Sequence, residues 1–478
     1  MAARSKVRFA LAVAVALAVG ACSFAPPLKI PTVPIADNYK ESAPWTAARP
    51  SDDLPRDAWW TLYGDEELNT LQKRLVENSP DLAAALARYQ QAKALNDQVR
   101  SGLFPTITGA ANAQRDRQSQ QRPLRVLGPT SPDYYSSYTV GVEADYEFDL
   151  WGRIRNQVAA GLASKQAAQA DLESARLSLQ AQLADTYIAL RGLDREITLL
   201  NETVVAYSKA LDLTSARRDG GIASGLDVAR AQTQLSTTRS QAKQALAQRA
   251  VLEHSIAVLV GESASGFAVE AHLVDIVLPH VPAGVPSTLL QRRPDIAAAQ
   301  RRVAAANANI GVARAAVFPS VTLSALFGFQ SSDSSSFIRA PNTYWAIGPS
   351  LFATLFDAGR RNAQIAQTQA VLDEAGATYR GVVLNAFKQV EDNLALLGYY
   401  HEAAESEREA LAAAQRSLDY ATTRYREGAV NYLEVVTSQT ATLQTQRDAL
   451  DLDTRQRRAS VQLIRALGGG WSVDQAAE

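Results

Sequence analysis

The chain has 478 residues, of which 47% are hydrophobic and 20% are charged, and its formal net charge is -1. Near-neutral charge argues against nucleic acid as a partner, because binding to phosphates requires a basic surface. The chain contains one cysteine, Cys22, which excludes internal disulfides and zinc sites built from several thiolates.

The first 21 residues have the layout of a secretory signal peptide. Three basic residues precede an apolar run that ends at Val19 and is too short to span a membrane as a helix. The run leads into the letters VGAC, which match a bacterial lipobox. We therefore predict that residues 1–21 are removed and that Cys22 becomes the lipidated first residue; an ordinary signal peptide with an incidental cysteine is the alternative. The Pro-rich stretch at 22–58 predicts an extended tether.

The same pattern occurs twice in the chain. The stretch NSPDLAAALARYQQAKALNDQVRSGLFPT, which contains Pro80, returns 214 positions later as RRPDIAAAQRRVAAANANIGVARAAVFPS around Pro294. The offset falls to 208 between the Phe-Asp pairs that begin at Phe148 and Phe356, and to 207 between RRDGGIASGLDVARAQ and RYREGAVNYLEVVTSQ. Each unit is far longer than the ~20 to 50 residues of a solenoid repeat, so the pattern indicates two homologous halves.

Proline placement predicts where the long helices lie. The 19 prolines all lie outside two intervals, Asp133 to Leu278 and Ser350 to Glu478, and proline interrupts helices. Both intervals are rich in good helix formers and have apolar residues at three- and four-residue spacing. Each interval predicts long antiparallel helices, with tips at about 217–227 and about 424–434. The mature chain then divides, after the tether, into a first repeat at 59–265, a linker at 266–287, a second repeat at 288–470 and a C-terminal tail at 471–478.

Each repeat also contains a predicted β-hairpin, at about 104–150 and about 318–357. From Tyr138 to Asp149 apolar and polar residues alternate, which predicts a strand with one apolar and one polar face. The second repeat alternates similarly from Val321 to Gln330, whereas the following stretch YWAIGPSLFATLF is apolar at both parities. One face suits lipid or a core, and the other suits water. If the strands belong to a barrel, we expect the polar face to be its solvated lumen face, with three carboxylates: Glu143, Asp145 and Glu147.

Four strands of about ten residues have the length that a tilted barrel strand needs to cross a bilayer. After Val19 no apolar run approaches the ~20 residues of a transmembrane helix, so we expect strands to make any membrane crossing. Four strands do not close a barrel, and an open sheet edge finds no hydrogen-bond partners in lipid. Several chains must then share one barrel. A small soluble sheet with one buried face is the alternative.

The most specific motif of the chain is GVPSTLLQRRPDIAAAQRRVAAANANIGVARAAVFPSVTLSALFGFQ, from Gly284 to Gln330. With the stretch WWTLYGDEELNTLQKRLVENSPDL and the two Phe-Asp junctions, it makes the chain similar to the TolC-like outer-membrane efflux proteins. The resemblance is to the lipoprotein (NodT-type) branch, which serves RND multidrug efflux systems. It implies a mainly α, duplicated chain with a membrane β part. In the implied homotrimer, a twelve-stranded outer-membrane β-barrel, four strands per chain, continues into a long periplasmic α-helical barrel with a mixed equatorial belt.

The resemblance also implies a function and partners. It implies a lipid-anchored outer-membrane exit duct that extends into the periplasm and passively conducts drugs and toxic compounds. The implied partners are a periplasmic adaptor (membrane fusion) protein, an inner-membrane RND-type pump and outer-membrane lipid, with no cofactor. Two other functions stay open: an outer-membrane duct for type I protein secretion, and a lipid-tethered periplasmic helical scaffold.

The two predicted tips contain the candidate site residues. Gly221 and Gly428 stand where long helices must reverse, Ser224 and Asn431 are candidate N-caps, and a carboxylate follows three residues after each cap. The resemblance assigns adaptor contact to seven tip residues: Gly221, Ser224, Leu226, Asp227, Gly428, Asn431 and Leu433. It assigns the periplasmic aperture to four: Asp227, Tyr425, Glu434 and Thr437. It also implies that Asp227 is the hydrogen-bond partner of Tyr425, and that Thr437 stands where relatives are often acidic.

The sequence has no pattern that is typical of an enzyme. Its four histidines lack metal-ligand spacing with one another and with nearby carboxylates. The letters GGIASGLD place glycines as in a phosphate loop, but Leu226 and Asp227 occupy the positions where Lys and Ser or Thr are needed. We therefore expect neither a catalytic site nor a metal site.

Overall fold

The computed structural model describes residues 23–34, 39–41, 58–117, 119, 133–279 and 292–469. The predicted signal peptide, the predicted lipidation site Cys22 and the predicted tail at 471–478 lie outside these residues. The chain divides into two compact units, which we call the sheet unit and the helical unit. The sheet unit comprises Met1–Pro31, Gln90–Ala167 and Gln300–Thr378, and the helical unit comprises Thr32–Tyr89, Ala168–Ala299 and Tyr379–Glu478.

Within the described residues, the α-helices and strands from Pro80 onward in the first repeat and from Pro294 onward in the second occur in the same order, one helix, two strands and two long helices, and the first repeat has one further α-helix before Pro80. The helices are α1 (Glu66–Asn78), α2 (Pro80–Ser101), α3 (Arg153–Asp219), α4 (Gly225–Leu259), α5 (Pro294–Ala315), α6 (Arg360–Arg426) and α7 (Tyr432–Ala466). The strands are β1 (Thr106–Arg117), β2 (Tyr134–Phe148), β3 (Ser320–Ser331) and β4 (Thr343–Phe352). Short 3-10 turns lie at Trp59–Tyr63 and Ala340–Asn342.

The predicted long helices are present and have identical lengths in the two repeats. Helices α3 and α6 have 67 residues each, and α4 and α7 have 35 residues each. At 1.5 Å per residue, a helix of this longer kind extends about 100 Å. Many of the buried side chains of α3 are alanines, for example Ala181 and Ala184, and such small side chains allow close helix approach.

The glycines that close the two repeats make equivalent contacts in three dimensions. Gly261 and Gly468 both have a positive φ, of 74° and 92°. A Cβ atom at Gly261 would overlap the carbonyl oxygen of Asn78, and one at Gly468 would overlap that of Arg292. Asn78 and Arg292 each stand two residues before a helix that begins with proline. The duplication that is visible in the sequence is therefore also a duplication of packing.

Four arginines hold the described part of the predicted linker, residues 266–279, in the helical unit. Their guanidinium groups donate to backbone carbonyls at 2.5 to 2.8 Å: Arg249 to Val269, Arg191 to Glu270, Arg195 to Val274, and Arg457 to Ile276. Arg191 is buried and also pairs with Asp194 at 2.8 Å. These charge-assisted hydrogen bonds compensate the backbone of a segment that has no regular secondary structure of its own.

The four strands of the sheet unit form one antiparallel sheet in the order β1-β2-β3-β4. The number of strands agrees with the prediction. Strand β2 pairs with β1 and β3, and β3 pairs with β2 and β4, so β1 and β4 are the edges of the sheet. Each edge therefore has one row of backbone N–H and C=O groups that no strand of the described ranges pairs with.

The strand register separates an apolar face from a polar face, as the alternation in β2 predicts. On the apolar face Val142 pairs with Gly109 and with Phe327, and Ala144 pairs with Ile107. The register also resolves the ambiguous last strand, because Phe327 pairs with Trp345. The apolar face of β4 therefore consists of Trp345, Ile347, Pro349 and Leu351.

The register corrects one offset that the sequence suggested. Thr106 pairs with Asp145 in the first repeat, and its counterpart Ser320 pairs with Phe352 in the second. Asp145 and Phe352 are therefore equivalent, which is an offset of 207 and not the 208 that the Phe-Asp pairs indicate. The second repeat therefore has one additional residue between Phe352 and Asp357. The turn that follows Asp357 contains Ala358 at a positive φ of 53°.

Candidate functional site

The two long helical hairpins reverse direction through the same backbone motif. We call α3–α4 the first hairpin and α6–α7 the second hairpin. In the first, Gly221 has a φ of 75°, its N–H donates to Arg218 O, and the next N–H donates to Arg217 O, both at 2.8 Å. In the second, Gly428 has a φ of 78°, and the N–H of Ala429 donates to Arg424 O at 2.8 Å. This is the Schellman motif, which favours glycine at the left-handed position.

The predicted N-caps of α4 and α7 are confirmed. The Ser224 hydroxyl accepts from the N–H of Asp227 at 3.2 Å, and the Asp227 carboxylate accepts from the N–H of Ser224 at 3.1 Å. The first hairpin thus has a complete capping box. In the second hairpin the Asn431 side chain accepts from the N–H of Leu433 at 3.0 Å, and Glu434 lies at the third helical position. A carboxylate near each helix start also complements the helix dipole.

The turn ends of the two hairpins pack on each other through a small buried cluster. We call it the turn cluster, and it consists of Ala231, Ala421, Tyr425, Tyr432 and Val435. The rings of Tyr425 and Tyr432 lie 5.2 Å apart between centroids, within the range of favourable aromatic pairs. Burial raises the pKa of Tyr432 above its ordinary value, so its hydroxyl stays neutral at physiological pH.

Arg217 of the first hairpin covers the turn cluster. Its guanidinium carbon lies 4.7 Å from the centroid of the Tyr425 ring, which is cation–π geometry. Its Nη1 atom lies 3.4 Å from Tyr425 O and 3.5 Å from Arg426 O, at the C-terminal end of α6. A cation at this position also complements the negative end of the helix dipole. Arg217 therefore ties the first hairpin to the last turn of α6.

The structure contradicts the predicted hydrogen bond between Asp227 and Tyr425. Among the residues that the structure describes, the buried Tyr425 hydroxyl has no hydrogen-bond partner. Asp227 is occupied by its capping box and by Arg230 at 3.7 Å. The capping box uses the carboxylate locally, so it does not reach the ring. Sequence reasoning missed Arg217, although Arg217 and Arg424 align in the two repeats. Nothing in the linear pattern distinguishes the half-buried Arg217 from the exposed Arg424.

The remaining tip residues include exposed apolar side chains on both hairpins. Leu226 and Leu433 are exposed, and Ile222, which sequence reasoning did not single out, is 71% exposed. Glu434 is exposed, and the exposed Thr437 donates its hydroxyl to Leu433 O at 2.9 Å.

The three carboxylates predicted for a lumen lie on one face of β2, but they differ in their partners. Glu147 forms an ion pair with Arg153 at 2.6 Å. Asp145 accepts a hydrogen bond from the hydroxyl of Ser324 on β3 at 2.5 Å. Glu143 is exposed. The three carboxylates of the polar face therefore differ in their exposure to solvent, and Glu143 is the most exposed.

The residues that follow Cys22 pack where strands of the sheet unit meet helices. The Ser23 hydroxyl donates to Asn156 at 3.0 Å. The Phe24 ring stacks on Phe318 at 4.7 Å between centroids, and the Trp151 ring stacks on Phe318 at 4.9 Å. The side chain of Asn307 donates to Pro26 O at 2.8 Å. The start of the predicted tether is thus held between β2, β3 and the helices that adjoin them.

The described part of the chain has neither a metal-binding cluster nor a membrane-spanning helix. No group of three or more His, Cys, Asp or Glu residues among them stands close enough to hold a metal ion. In the described ranges, no helix combines the length and the apolar character that a membrane span requires.

Comparison with known proteins identifies the family. The model of the family described as outer membrane efflux protein matches residues 71–262 and 285–469. Outer membrane protein OprJ of Pseudomonas aeruginosa is 31% identical over 467 residues, which cover 96% of this chain and 95% of OprJ. Toluene efflux pump outer membrane protein TtgF of Pseudomonas putida is 31% identical over 470 residues, which cover 96% of each protein.

Solved structures agree with this assignment. The outer-membrane channel OprN superposes with a TM-score of 0.86 at 31% identity, over 94% of this chain and all of that one (100%). The transmembrane channel protein CusC superposes with a TM-score of 0.83 at 27% identity, over 94% of this chain and 100% of that one. The duplicated, mainly helical chain with its four-stranded sheet has the fold of TolC-like channels. It is therefore a member of the outer membrane efflux protein family, an efflux channel of the outer membrane and not an enzyme.

Proposed function

We propose that the chain is the outer-membrane exit duct of a tripartite efflux system. Three copies share one twelve-stranded barrel and passively conduct small molecules from a periplasmic adaptor and an inner-membrane RND-type pump to the outside. The observation that carries this proposal is the sheet with an exposed apolar face and two unpaired edges. Transport energy comes from the pump, because outer membrane efflux channels are passive conduits.

The sheet has the properties of part of a membrane barrel. Its strands have 10 to 15 residues, enough for a tilted strand to cross a bilayer. On the apolar face, Trp345, Ile347 and Leu351 are 72%, 63% and 69% exposed. Lipid can cover such a face, but the open edges β1 and β4 require backbone partners, which only another strand supplies in lipid. A closed ring of several chains satisfies both requirements.

Lipid anchoring at Cys22 fits the same arrangement. Ser23 and Phe24 are the first described residues after the cysteine. Ser23 donates to Asn156, and Phe24 packs beside Trp151 and Phe318, next to the ends of β2 and β3. An acyl chain on Cys22 would therefore start near the level at which the strands end. Residues 22–58 then act as the tether, and the repeats at 59–265 and 288–470 are joined by the linker at 266–287.

The turn ends of the hairpins are the proposed periplasmic tip. Adaptor contact is made by Gly221, Ser224, Leu226, Asp227, Gly428, Asn431 and Leu433. The exposed apolar side chains among them provide apolar contact area for the adaptor, and the N-caps stabilise the helix ends that carry these side chains. The aperture is formed by Asp227, Tyr425, Glu434 and Thr437, and it opens by separation of the two hairpins at the turn cluster. With Thr437 in place of a carboxylate, the ring of charge from three copies is weaker.

The transported compounds belong to the class of small molecules. Relatives at 31% identity are named for toluene efflux and, in Pseudomonas aeruginosa, for pyoverdine export. Neither name mentions protein cargo, which favours small-molecule export over type I protein secretion. The polar face of the sheet, with Glu143, Asp145 and Glu147, lines the aqueous exit.

The native mass of the detergent-extracted protein, with its lipid modification resolved, tests the proposal. We expect a trimer that carries acyl chains on every Cys22. The matched variant Cys22→Ser keeps the fold and should lose the acyl mass while remaining a trimer. A monomer that stays in solution without detergent after Cys22→Ser would contradict the shared barrel and favour the tethered scaffold.

A further inference from the structure

The duplication predicts how two copies of the chain pair along their open sheet edges. Within one chain, β2 of the first repeat pairs with β3 of the second repeat. In a closed ring of chains, β4 of one copy must pair with β1 of the next, which again joins the two repeats. If first and second repeats alternate around the ring and each neighbouring pair packs alike, the β2–β3 pairing inside one chain gives the register of the β4–β1 pairing between two chains. This inference rests on the proposed function, because it requires that copies share a sheet.

The structure gives both sequence offsets that convert the residue pairs of β2–β3 into residue pairs of β4–β1. β3 corresponds to β1 at an offset of 214, since Ser320–Ser331 and Thr106–Arg117 have the same length and matching ends. β2 corresponds to β4 at an offset of 207, since Asp145 and Phe352 occupy equivalent register positions. The observed pair of Ala144 with Ala325 then becomes Leu351 with Ala111. The observed pair of Phe148 with Val321 becomes Leu355 with Ile107.

We infer that three copies assemble with Leu351 opposite Ala111, and Leu355 opposite Ile107, of the next copy. This register keeps the apolar face continuous across the boundary, because Leu351 and Ala111 both belong to the apolar face of their own sheet. A shift by one residue would place polar side chains of one copy among apolar side chains of the next. The offset of 208 from the Phe-Asp pairs implies such a shift, so the sequence alone points to the wrong register.

Two features of the single chain are accounted for by this register. Leu355 is 94% exposed and lies three residues beyond the end of β4, and Ile107 is 68% exposed at the start of β1. Pairing extends β4 to Leu355 and covers both side chains. At the other end, Trp345 comes to lie opposite Arg117, whose guanidinium already stacks on Tyr134 at 5.4 Å from the ring centroid. The cation then has an aromatic ring on each side.

Disulfide cross-linking of the full chain in membranes tests the register. Residues directly opposite on antiparallel strands have Cα atoms about 4.5 to 5.5 Å apart, within the range that a disulfide tolerates. Diagonal neighbours are about 7 to 8 Å apart and fall outside it. The test pairs are Leu351→Cys with Ala111→Cys, and Leu355→Cys with Ile107→Cys. The pairs two residues out of register are Leu351→Cys with Gly109→Cys, and Leu351→Cys with Ala113→Cys.

Ala144→Cys with Ala325→Cys is the matched control, because it is the template of the first test pair inside one chain. It reports that the oxidant reaches the sheet, and single-cysteine variants report any contribution of Cys22. We expect both test pairs to give covalent dimers and trimers in much higher yield than the pairs out of register. A maximum at Gly109 or Ala113 would overturn the register and leave the shared barrel intact. No cross-link between copies at any pair, with the control oxidised, would overturn the register and the proposed trimer together.

Discussion

Replacement of Arg217 by alanine should weaken the contact between the two hairpins at their turns. The guanidinium lies 4.7 Å from the Tyr425 centroid on a half-buried side chain. Cation–π contacts are worth about 0.5 to 1 kcal/mol when exposed and about 2 kcal/mol when desolvated, so we assign about 1 kcal/mol here. The distances of 3.4 and 3.5 Å to the carbonyls are at the long end for hydrogen bonds, so they add little.

Three copies multiply this contribution. If the proposed aperture opens only when all three pairs of hairpins separate, the loss is about 3 kcal/mol, or roughly a hundredfold in the ratio of closed to open channels. Single-channel recordings in planar bilayers measure that ratio as open probability. Arg217→Ala should raise the open probability strongly. Arg217→Lys should have a smaller effect, because the ammonium keeps the charge but not the planar group that stacks on the ring.

Arg424→Ala is the matched control, because Arg424 is the counterpart of Arg217 in the second repeat and is exposed. It removes the same charge from the same region of the tip. We expect its open probability to equal that of the unmodified channel. Equal open probabilities for Arg217→Ala and Arg424→Ala would refute the reasoning, because they would reduce the effect to net charge.

Three further changes test other contacts. Ser224→Ala removes the capping box, so it should cost about 1 kcal/mol and speed amide hydrogen exchange in the first turn of α4 while the first turn of α7 stays protected. Gly468→Ala should lower the thermal unfolding temperature more than Gly428→Ala. Both substitutions place alanine in a backbone conformation with a positive φ, which costs about 1 to 2 kcal/mol. Only at Gly468 does the new Cβ also overlap a carbonyl oxygen. Equal shifts would mean that the carbonyl of Arg292 moves freely. Phe24→Ala removes the stacking on Phe318 and should open residues 23–34 to protease while the trimer persists, and unchanged protection would show that the other contacts of the segment suffice.

Some elements follow from short-range patterns, which require no knowledge of distant residues. The alternation from Tyr138 to Asp149 predicts β2 with its two faces, and the proline-free intervals predict the long hairpins. The caps at Ser224 and Asn431 are likewise local, because a side chain of that type bonds to the backbone two or three residues away. Family membership also follows from the linear motifs, and the comparisons confirm it.

Other features depend on contacts between residues that are far apart in the chain, which no local pattern encodes. The last strand is apolar at both parities, so its faces are set only by its pairing with β3. Asp227 had two possible partners of similar chemistry, and the nearby backbone took precedence over Tyr425 because the capping box requires no long-range ordering. Arg217 and Arg424 are equivalent in sequence, yet only Arg217 reaches across to the other hairpin, because packing breaks the symmetry of the duplication. Hydrophobic periodicity and local hydrogen bonding thus account for the helices and strands. The strand register, and the choice between residues that are equivalent in sequence, are decided only by contacts in the folded chain.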